Sequence, residues 1–334
     1  MPFNIVSGNI LTMLAYMLCG FLLVTFKKGV ASHAKTLSAI LVYVCSPALI
    51  INAWQSIEFS AQNVTQLILF FFVSLTIQLL FFCVLFLIFR KKLIRKHPAP
   101  NENTLTLEKV NDQTQPTNLD KSAMYRILSV GSVLGNTGFF GLPLVTALFP
   151  SQPIVACFST VYVTSMNLLV FTVGVFMITG DKKFITIKSA LLNPSTIAVV
   201  FALPFFFLNI KFPTIIAEPV SLLGKMSTPL CMLVLGMRLA VVNKKTLFTR
   251  PLVYLTCLLK LVVFPLFAYL CVYFLPFVDA TFKACILVLS ATPSAVIVLS
   301  LAEMHDCEQE LSANVVLLTT ILSVVTMPLI MLIL

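Results

Sequence analysis

A group of helix-breaking residues inside a hydrophobic stretch constrains this sequence more than any other feature. The stretch of residues 123–149 is long and apolar enough to cross a membrane. Five residues that disfavour a continuous helix lie near the middle of that stretch: Gly135, Asn136, Gly138, Gly141 and Pro143. Non-helical backbone is tolerated at membrane depth only where protein or a water-filled cavity satisfies its polar groups. We therefore predict a broken helix that lines a cavity, and a binding site at the break.

The composition is typical of a polytopic membrane protein. Of the 334 residues, 59% are hydrophobic and only 10% are charged, and the mean hydropathy is +1.03. A soluble domain has about 25% charged residues, and a membrane-spanning helix needs about 20 mostly apolar residues. Ten stretches meet this requirement: residues 6–26, 37–55, 65–89, 123–149, 153–179, 189–209, 214–240, 251–277, 281–303 and 310–334. We therefore predict an all-α membrane protein with ten transmembrane helices.

Basic residues cluster after the first, third, fifth and seventh stretches. Examples from these four connections are Lys27, Arg90, Lys183 and Arg250. By the positive-inside rule these connections face the cytoplasm, which places both termini on the extracytoplasmic side. We expect an integral protein of a bacterial inner (plasma) membrane. The net charge of +10 is explained by basic residues in connections beside the lipid bilayer. We therefore expect no nucleic-acid partner.

One long polar segment, residues 96–121, separates the third stretch from the fourth. It contains Pro98, Pro100 and Pro116 among Asn, Asp, Gln, Thr and Glu residues, a composition typical of a flexible linker. The segment is either a solvated cytoplasmic tether or a site of regulation.

The sequence contains no pattern that indicates catalysis or metal binding. Its three histidines lie in predicted loops, and its nine cysteines include no CxxC pair. No pair of carboxylates lies within a hydrophobic stretch, and there is no Walker-type phosphate loop. We therefore expect no catalytic residues, no metal and no cofactor.

The two halves of the chain resemble each other once the linker is set aside. Ser46-Pro47 in the second stretch matches Thr228-Pro229 in the seventh. The broken fourth stretch likewise matches the ninth, which the segment Ala291–Ala295 interrupts. The sequence therefore predicts an internal repeat with one broken helix in each copy.

Each half contains five spans, an odd number, so the second copy enters the membrane from the opposite side. Residues 1–179 and 180–334 are therefore predicted to form two inverted five-helix repeats. At 1.5 Å per residue, both breaks lie about 17–20 Å from one end of their helices, near the membrane midplane. The half-helix N-termini would offer free N–H groups and positive dipole ends to a shared site, which favours an anion.

Five motifs in order make the sequence resemble the auxin efflux carrier family. They are residues 135–144, Asn193-Pro194, Thr228–Leu230 with Leu235-Gly236, Pro293–Ala295, and Thr320 and Ser323 with Pro328. The family includes plant auxin exporters and bacterial carriers of malonate or malate. The resemblance extends over essentially the whole chain. The 96–121 linker is shorter than the central loop of many plant members, which is less typical of a hormone transporter.

The resemblance implies two inverted repeats whose broken fourth and ninth helices cross beside the substrate. It also implies an elevator mechanism, in which helices one, two, six and seven form a scaffold and the other six move against it. The scaffold is often dimeric, so a homodimer is one implied assembly. On this pattern Asn136, Pro143 and Pro293 lie at the crossover.

Residues at the first break have two alternative roles each. The carboxamide of Asn136 would either bind the substrate or cap the second half-helix. Gly135, Gly138 and Gly141 recur at intervals of three, which suits either cavity lining or close helix packing.

Other polar residues within the spans also have alternative roles. Thr292 and Ser294, on either side of Pro293, would hydrogen-bond either the substrate or the carbonyl groups that the proline frees. Gln78 and Asn167 are single polar residues in apolar spans. Each would either line the substrate site or form a hydrogen bond between helices.

Two lysines are candidates for charge compensation. Lys260 lies about 15 Å inside its span, and a charge within the membrane is a functional hypothesis by default. It would either take the place of a coupling cation beside the crossover or pair with an acid or a helix C-terminus. Lys225 would contact an anionic substrate from the scaffold side, bridge to Glu218, or lie at an aqueous mouth.

Together these features predict a secondary transporter that moves a small organic anion, of the carboxylate class, by alternating access. We expect a proton gradient or the membrane potential to drive it. A sodium-coupled carrier of the same architecture is the nearest alternative, and it would need more carboxylate or carbonyl ligands around the crossover. An anion channel is the alternative from another class, and it would conduct without saturation.

Overall fold

The structure, a computed structural model, describes residues 2–30, 32–93, 121–179, 182–185, 187–242, 244–305 and 307–334. These residues form helices joined by short connections. In chain order the main helices are α1 (Phe3–Thr25), α2 (His33–Gln55), α3 (Ala61–Leu93), α4 (Lys121–Val133), α5 (Thr137–Leu148), α6 (Ile154–Thr179), α7 (Pro194–Phe207), α8 (Thr214–Val241), α9 (Pro251–Tyr273), α10 (Ala280–Ser290), α11 (Val296–Met304) and α12 (Gln309–Ile333). Short helices at Ile187–Leu191 and Lys244–Thr249 precede α7 and α9.

Seven helices of the described residues are long and apolar enough to cross a membrane: α1, α2, α3, α6, α8, α9 and α12. Helices α5, α7 and α10 are apolar but shorter. The structure thereby confirms the prediction of an all-helical, polytopic membrane protein. The predicted linker, residues 96–121, lies outside the described residues except for Lys121, which begins α4.

Prolines within the helices widen the turns ahead of them. Three π-helical turns, Leu41–Cys45, Thr137–Gly141 and Leu259–Val263, each end two residues before a proline. A proline has no N–H group, and its ring collides with the carbonyl group four residues earlier. A π turn absorbs this conflict by including one more residue in the turn. Helices α2, α5 and α9 are therefore locally irregular within their length.

Ion pairs identify one end of the helix bundle. Arg238 near the end of α8 pairs with Glu303 near the end of α11 at 2.5 Å. Arg250, just before α9, lies 3.2 Å from Glu310 in the first turn of α12. The ends of α8 and α11 and the starts of α9 and α12 therefore lie at one end of the bundle, which we call the basic end.

At the opposite end of the bundle, a lysine side chain links two helices by donating to a backbone carbonyl group. Lys211, beyond the end of α7, donates to the carbonyl oxygen of Gln55 at the end of α2 at 2.8 Å. Gln66, near the start of α3, donates to Asp279, which precedes α10, at 3.3 Å. These contacts place the ends of α2 and α7 and the starts of α3 and α10 at the end opposite to the basic end.

The helices pack in two groups. In the first group, α1 packs along α8, and α2 packs against α7 and the first half of α8. In the second group, α3 packs against α4 and α6, and α9 packs against α4, α10 and α12. The two groups touch where α1 meets α5 and α12 and where α2 meets α6.

Helices α1 and α8 approach each other closely because α8 has a glycine at the contact. A Cβ atom added to Gly236 would overlap the backbone carbonyl group of Met17. Small residues permit such contacts within membranes, where packing rather than the hydrophobic effect drives helix association. By contrast, a Cβ atom added to Gly8 in α1 would meet no atom within 4 Å.

We expect the substitution Gly236→Ala to lower the thermal midpoint of the detergent-solubilised protein by about 5 °C, because the new methyl group forces α1 away from α8. The matched variant Gly8→Ala should shift the midpoint by less than about 2 °C. The midpoints of both variants are measured by heating samples and quantifying the remaining folded protein by size-exclusion chromatography. Equal losses in the two variants would contradict the close contact.

Candidate functional site

The breaks of the two interrupted helices lie in direct contact. The segment between α4 and α5 runs antiparallel to the segment between α10 and α11. The N–H group of Asn136 donates to the carbonyl oxygen of Pro293 at 2.8 Å, and the N–H group of Ala295 donates to the carbonyl oxygen of Leu134 at 3.0 Å. Polar backbone groups that neither broken helix satisfies therefore satisfy each other across the crossing.

Hydroxyl groups complete the hydrogen bonding around Pro293. The Thr292 hydroxyl donates to the carbonyl oxygen of Leu289, four residues before the proline, at 2.7 Å. The Ser294 hydroxyl donates to the carbonyl oxygen of Gly131 in α4, also at 2.7 Å. Thr292 and Ser294 are buried and line neither of the two cavities described below. The Thr292 hydroxyl bonds the carbonyl that Pro293 frees, which is the second of its two predicted roles, whereas the Ser294 hydroxyl bonds the backbone of the other interrupted helix.

The carbonyl group that Pro143 leaves free receives its hydrogen bond from the other group of helices. Phe139 lies four residues before Pro143, so its carbonyl oxygen has no helical N–H donor at that position. The hydroxyl group of Thr228 in α8 donates to this oxygen at 2.7 Å. The bond joins α5 to α8 at the level of the crossing.

Lys260 lies where the first halves of both interrupted helices end. It is fully buried in the π-helical turn of α9. Its Nζ atom donates to the carbonyl oxygen of Ser290 at 3.0 Å and to that of Val133 at 3.3 Å. These are the last residues of α10 and α4. A cation is favourable at a helix C-terminus, and this is one of the two partners predicted for Lys260.

The second halves of both interrupted helices begin at a cavity of about 150 Å³, which we call the crossover cavity. First-turn residues of both helices line it: Thr137, Gly138 and Phe139 of α5, and Val296 and Ile297 of α11. First-turn N–H groups have no acceptor within their own helix, and the dipole is positive there. Further polar lining residues are Ser38, Ser46, Asn167, Asn193, Ser195 and Ser300. No charged side chain of the described residues lines the crossover cavity.

At the start of α5, Asn136 has only a weak sulfur acceptor for its side-chain amide, and the Thr137 hydroxyl has no partner among the described residues. Asn136 occupies the N-cap position, but its side chain makes no capping hydrogen bond, so the predicted capping role is wrong for this structure. Its Nδ2 atom lies 3.8 Å from the sulfur of Cys231 in α8. Thr137 is fully buried, and within the described part of the chain its Oγ1 atom has no hydrogen-bond partner. Both residues line the crossover cavity.

The three glycines of the first break divide between the two predicted roles. Gly135 and Gly138 line the crossover cavity. Gly141 packs against α10, since an added Cβ atom would lie 2.7 Å from Leu289. Gly135 also packs tightly, because an added Cβ atom would lie 2.9 Å from Nζ of Lys260.

A second cavity of about 570 Å³ lies on the other side of the crossing, toward the opposite end of the bundle, and we call it the wide cavity. Pro143 and Thr228 line it, and Leu49 lines both cavities. Lys225 is the one charged residue of the described chain that lines the wide cavity, and its side chain is exposed. This position fits the predicted aqueous mouth.

Gln78 lines neither of these two cavities. Its Nε2 atom donates to the hydroxyl of Ser165 in α6 at 3.1 Å and to the carbonyl oxygen of Ser74 at 3.0 Å. Gln78 therefore joins α3 to α6, which is the alternative role of a lone polar residue in a span. Asn167 does line the crossover cavity.

Sequence reasoning missed several residues of the site, three of which make or offer contacts at the crossing. Thr137 and Cys231 line the crossover cavity, and Thr228 bonds the freed carbonyl of Phe139. Pro143 in the sequence indicates that the carbonyl group of Phe139, four residues earlier, needs a donor from outside its helix. Thr228 is that donor. Within the described residues, no group of three or more His, Cys, Asp or Glu side chains could hold a metal ion.

Comparison with known proteins finds similarity to membrane transporters. A family model described as "Membrane transport protein" matches residues 182–331, the second half of the chain. An uncharacterized transporter from Methanothermobacter thermautotrophicus is 31% identical over 210 residues. This alignment covers 60% of the present chain and 66% of the relative, just under two thirds of its length. These matches are to a membrane transporter family model and to a transporter, and they agree with the resemblance that the crossover motifs carry.

Proposed function

We propose that this protein is a secondary transporter that moves a small organic anion, of the carboxylate class, across the membrane. One observation supports this most directly: two half-helix N-termini, neither of them capped by a side chain, converge on the crossover cavity. Anions bind at helix N-termini because the N–H groups and the dipole both favour negative charge. Two such ends at one cavity make an anion its natural ligand.

Side chains at the first break supply further donors for a carboxylate. The hydroxyl group of Thr137 has no partner in the described chain, and a buried hydroxyl gains free energy when an acceptor reaches it. The amide nitrogen of Asn136 has only a long contact with Cys231. A carboxylate has two oxygen atoms, so it can accept from both groups. Val163 and Met166 line the same cavity and would contact the organic part of the ligand.

The order of the helices supports the inverted-repeat hypothesis. In residues 1–179, three long helices are followed by the interrupted pair α4/α5 and then by α6. In residues 180–334, α7, α8 and α9 are followed by the interrupted pair α10/α11 and then by α12. Counting each interrupted pair as one span gives five spans per half, or ten in all. With an odd number of spans per half, the halves have inverted orientations.

The packing supports an elevator mechanism. In this proposal α1, α2, α7 and α8 form the scaffold, and the other helices move as a unit that holds the crossing. The two cavities lie on either side of the crossing, between the two groups. Few polar bonds of the described residues join the groups there, among them Thr228 to Phe139 and Trp54 to Thr160. Alternating access would exchange these bonds while the crossing itself stays intact.

Orientation and assembly follow from charge and from the family pattern. We propose that the basic end faces the cytoplasm, so that both termini and the wide cavity face outward. The membrane would be a plasma membrane, in a bacterium the inner membrane, and the scaffold helices would form the contact of a homodimer. We propose the membrane potential or a proton gradient as the driving force.

Substitution of Asn136 tests the binding site. We expect Asn136→Ala to raise KM for uptake of the transported carboxylate about tenfold or more, because a donor to a charged group is lost. Uptake of labelled malonate, malate and indole acetate into proteoliposomes, under an imposed membrane potential or proton gradient, measures this. Asn63→Ala is the matched control, since Asn63 in α3 lines neither cavity. A variant Asn136→Ala with normal KM would contradict the proposed site.

Substitution of Thr137 separates binding from stability. The change Thr137→Val removes the unpartnered hydroxyl with little change in shape, so the thermal midpoint should stay the same or rise. KM for the carboxylate should nevertheless rise about tenfold. Thr137→Ser keeps the hydroxyl and should retain both properties. A lower midpoint in Thr137→Val with an unchanged KM would assign the hydroxyl to the fold instead.

Counterflow distinguishes a carrier from a channel. Proteoliposomes that contain a carrier and are loaded with unlabelled substrate accumulate labelled substrate transiently. They do so because the carrier exposes one site to each side in turn. We expect saturable counterflow of the transported carboxylate, measured in proteoliposomes without an imposed gradient. Flux that rises linearly with concentration and shows no counterflow would favour the channel.

A further inference from the structure

Lys260 occupies a site where charge, geometry and burial are those of a bound cation. The carbonyl oxygens of Ser290 and Val133 accept from its Nζ atom at 3.0 and 3.3 Å. The ring of Phe264 adds a cation–π contact, with its centroid 4.6 Å from Nζ. The side chain is fully buried. The acidic residues of the described chain lie near helix ends or in connections, so two helix C-termini act as the counter-charge.

The charges of the two helix ends match one monovalent cation. A helix C-terminus is equivalent to about half a negative charge. Helices α4 and α10 both end at Lys260, so together they are equivalent to about one negative charge. One ammonium group balances this charge. In transporters built from interrupted helices, such C-terminal ends and unwound carbonyl groups are where coupling sodium ions bind.

A third oxygen lies beside the same space. A Cβ atom added to Gly135 would lie 2.9 Å from Nζ of Lys260 and 2.5 Å from Oγ1 of Thr292. The ammonium group and the Thr292 hydroxyl therefore flank one small volume at the crossing. The two carbonyl oxygens that Lys260 contacts are ligands of the kind that coordinate sodium at unwound helix ends.

We propose that Lys260 fills a latent monovalent-cation site at the carbonyl oxygens of Val133 and Ser290, with the hydroxyl of Thr292 nearby. The chain thereby carries a fixed cation where a sodium-coupled carrier would need a free ion. Two consequences follow. The native protein has no sodium site at its crossing. The substitution Lys260→Ala, which shortens the side chain to a methyl group, creates one. The second consequence is independent of the substrate, whereas sodium-independent transport rests on the proposed function.

Thermal unfolding in different salts tests the site without any substrate. The native protein should have the same midpoint, within about 1 °C, in sodium chloride, potassium chloride and choline chloride of equal ionic strength. Lys260→Ala should unfold at a lower temperature in choline chloride, because two helix C-termini lose their counter-charge. Sodium chloride should raise the midpoint of this variant by about 3 °C or more, with saturation, because an ion that binds only the folded state stabilises it.

Two control variants make the test specific. Lys260→Met fills the same volume with an apolar chain and should be destabilised without any recovery in sodium chloride. Lys225→Ala removes a lysine that lines the wide cavity, far from the helix C-termini, and should respond to salt like the native protein. Saturable stabilisation of the native protein by sodium would overturn the proposal. So would a Lys260→Ala variant whose midpoint is equal in sodium and choline, or one that stays unfolded in both salts.

The transport arm separates this inference from the proposed function. Carboxylate uptake by the native protein should be equal in sodium and choline media, and uptake by Lys260→Ala should be at least fivefold faster in sodium than in choline. If the native protein transports no anion, the proposed function fails while the thermal measurement still decides the cation site. If the native protein transports the anion only with sodium, the cation site as proposed is wrong while anion transport stands.

Discussion

Two backbone hydrogen bonds between the helix breaks hold the centre of this protein together. Asn136 to Pro293 and Ala295 to Leu134 replace bonds that the broken helices cannot make. At membrane depth no water is available to take their place, so the crossing exists only because each break satisfies the other. The hydroxyl of Ser294 reinforces this contact from one side, and Lys260 reinforces it from the other.

The crossing also separates charge. The negative ends of α4 and α10 meet at Lys260, and the positive ends of α5 and α11 meet at the crossover cavity. In our proposal, one break in each helix therefore produces both a site for a cation and a site for an anion. In this protein a lysine side chain fills the first site. The second site is bordered by Asn136 and Thr137, whose polar groups lack strong partners in the described chain.

The sequence was sufficient to predict the membrane class, the two breaks and the depth of Lys260, because hydropathy and proline and glycine positions determine them directly. It could not decide which way each side chain faces. Gln78 lies at the same depth as the site but turns toward α6, and Asn136 occupies a capping position without capping. Thr137 escaped notice because a threonine in an apolar span normally bonds its own helix. These outcomes depend on helix rotation and on contacts between distant segments, which a single sequence does not record.

A structure determined with the transported carboxylate bound would test the central claim most directly. The account predicts that the carboxylate lies in the crossover cavity, within hydrogen-bonding distance of the Thr137 hydroxyl and of first-turn N–H groups of α5 and α11. Lys260 should keep its bonds to Val133 and Ser290 in that complex. A carboxylate bound to Lys225 in the wide cavity with an empty crossover cavity, or one paired directly with Lys260, would contradict the account.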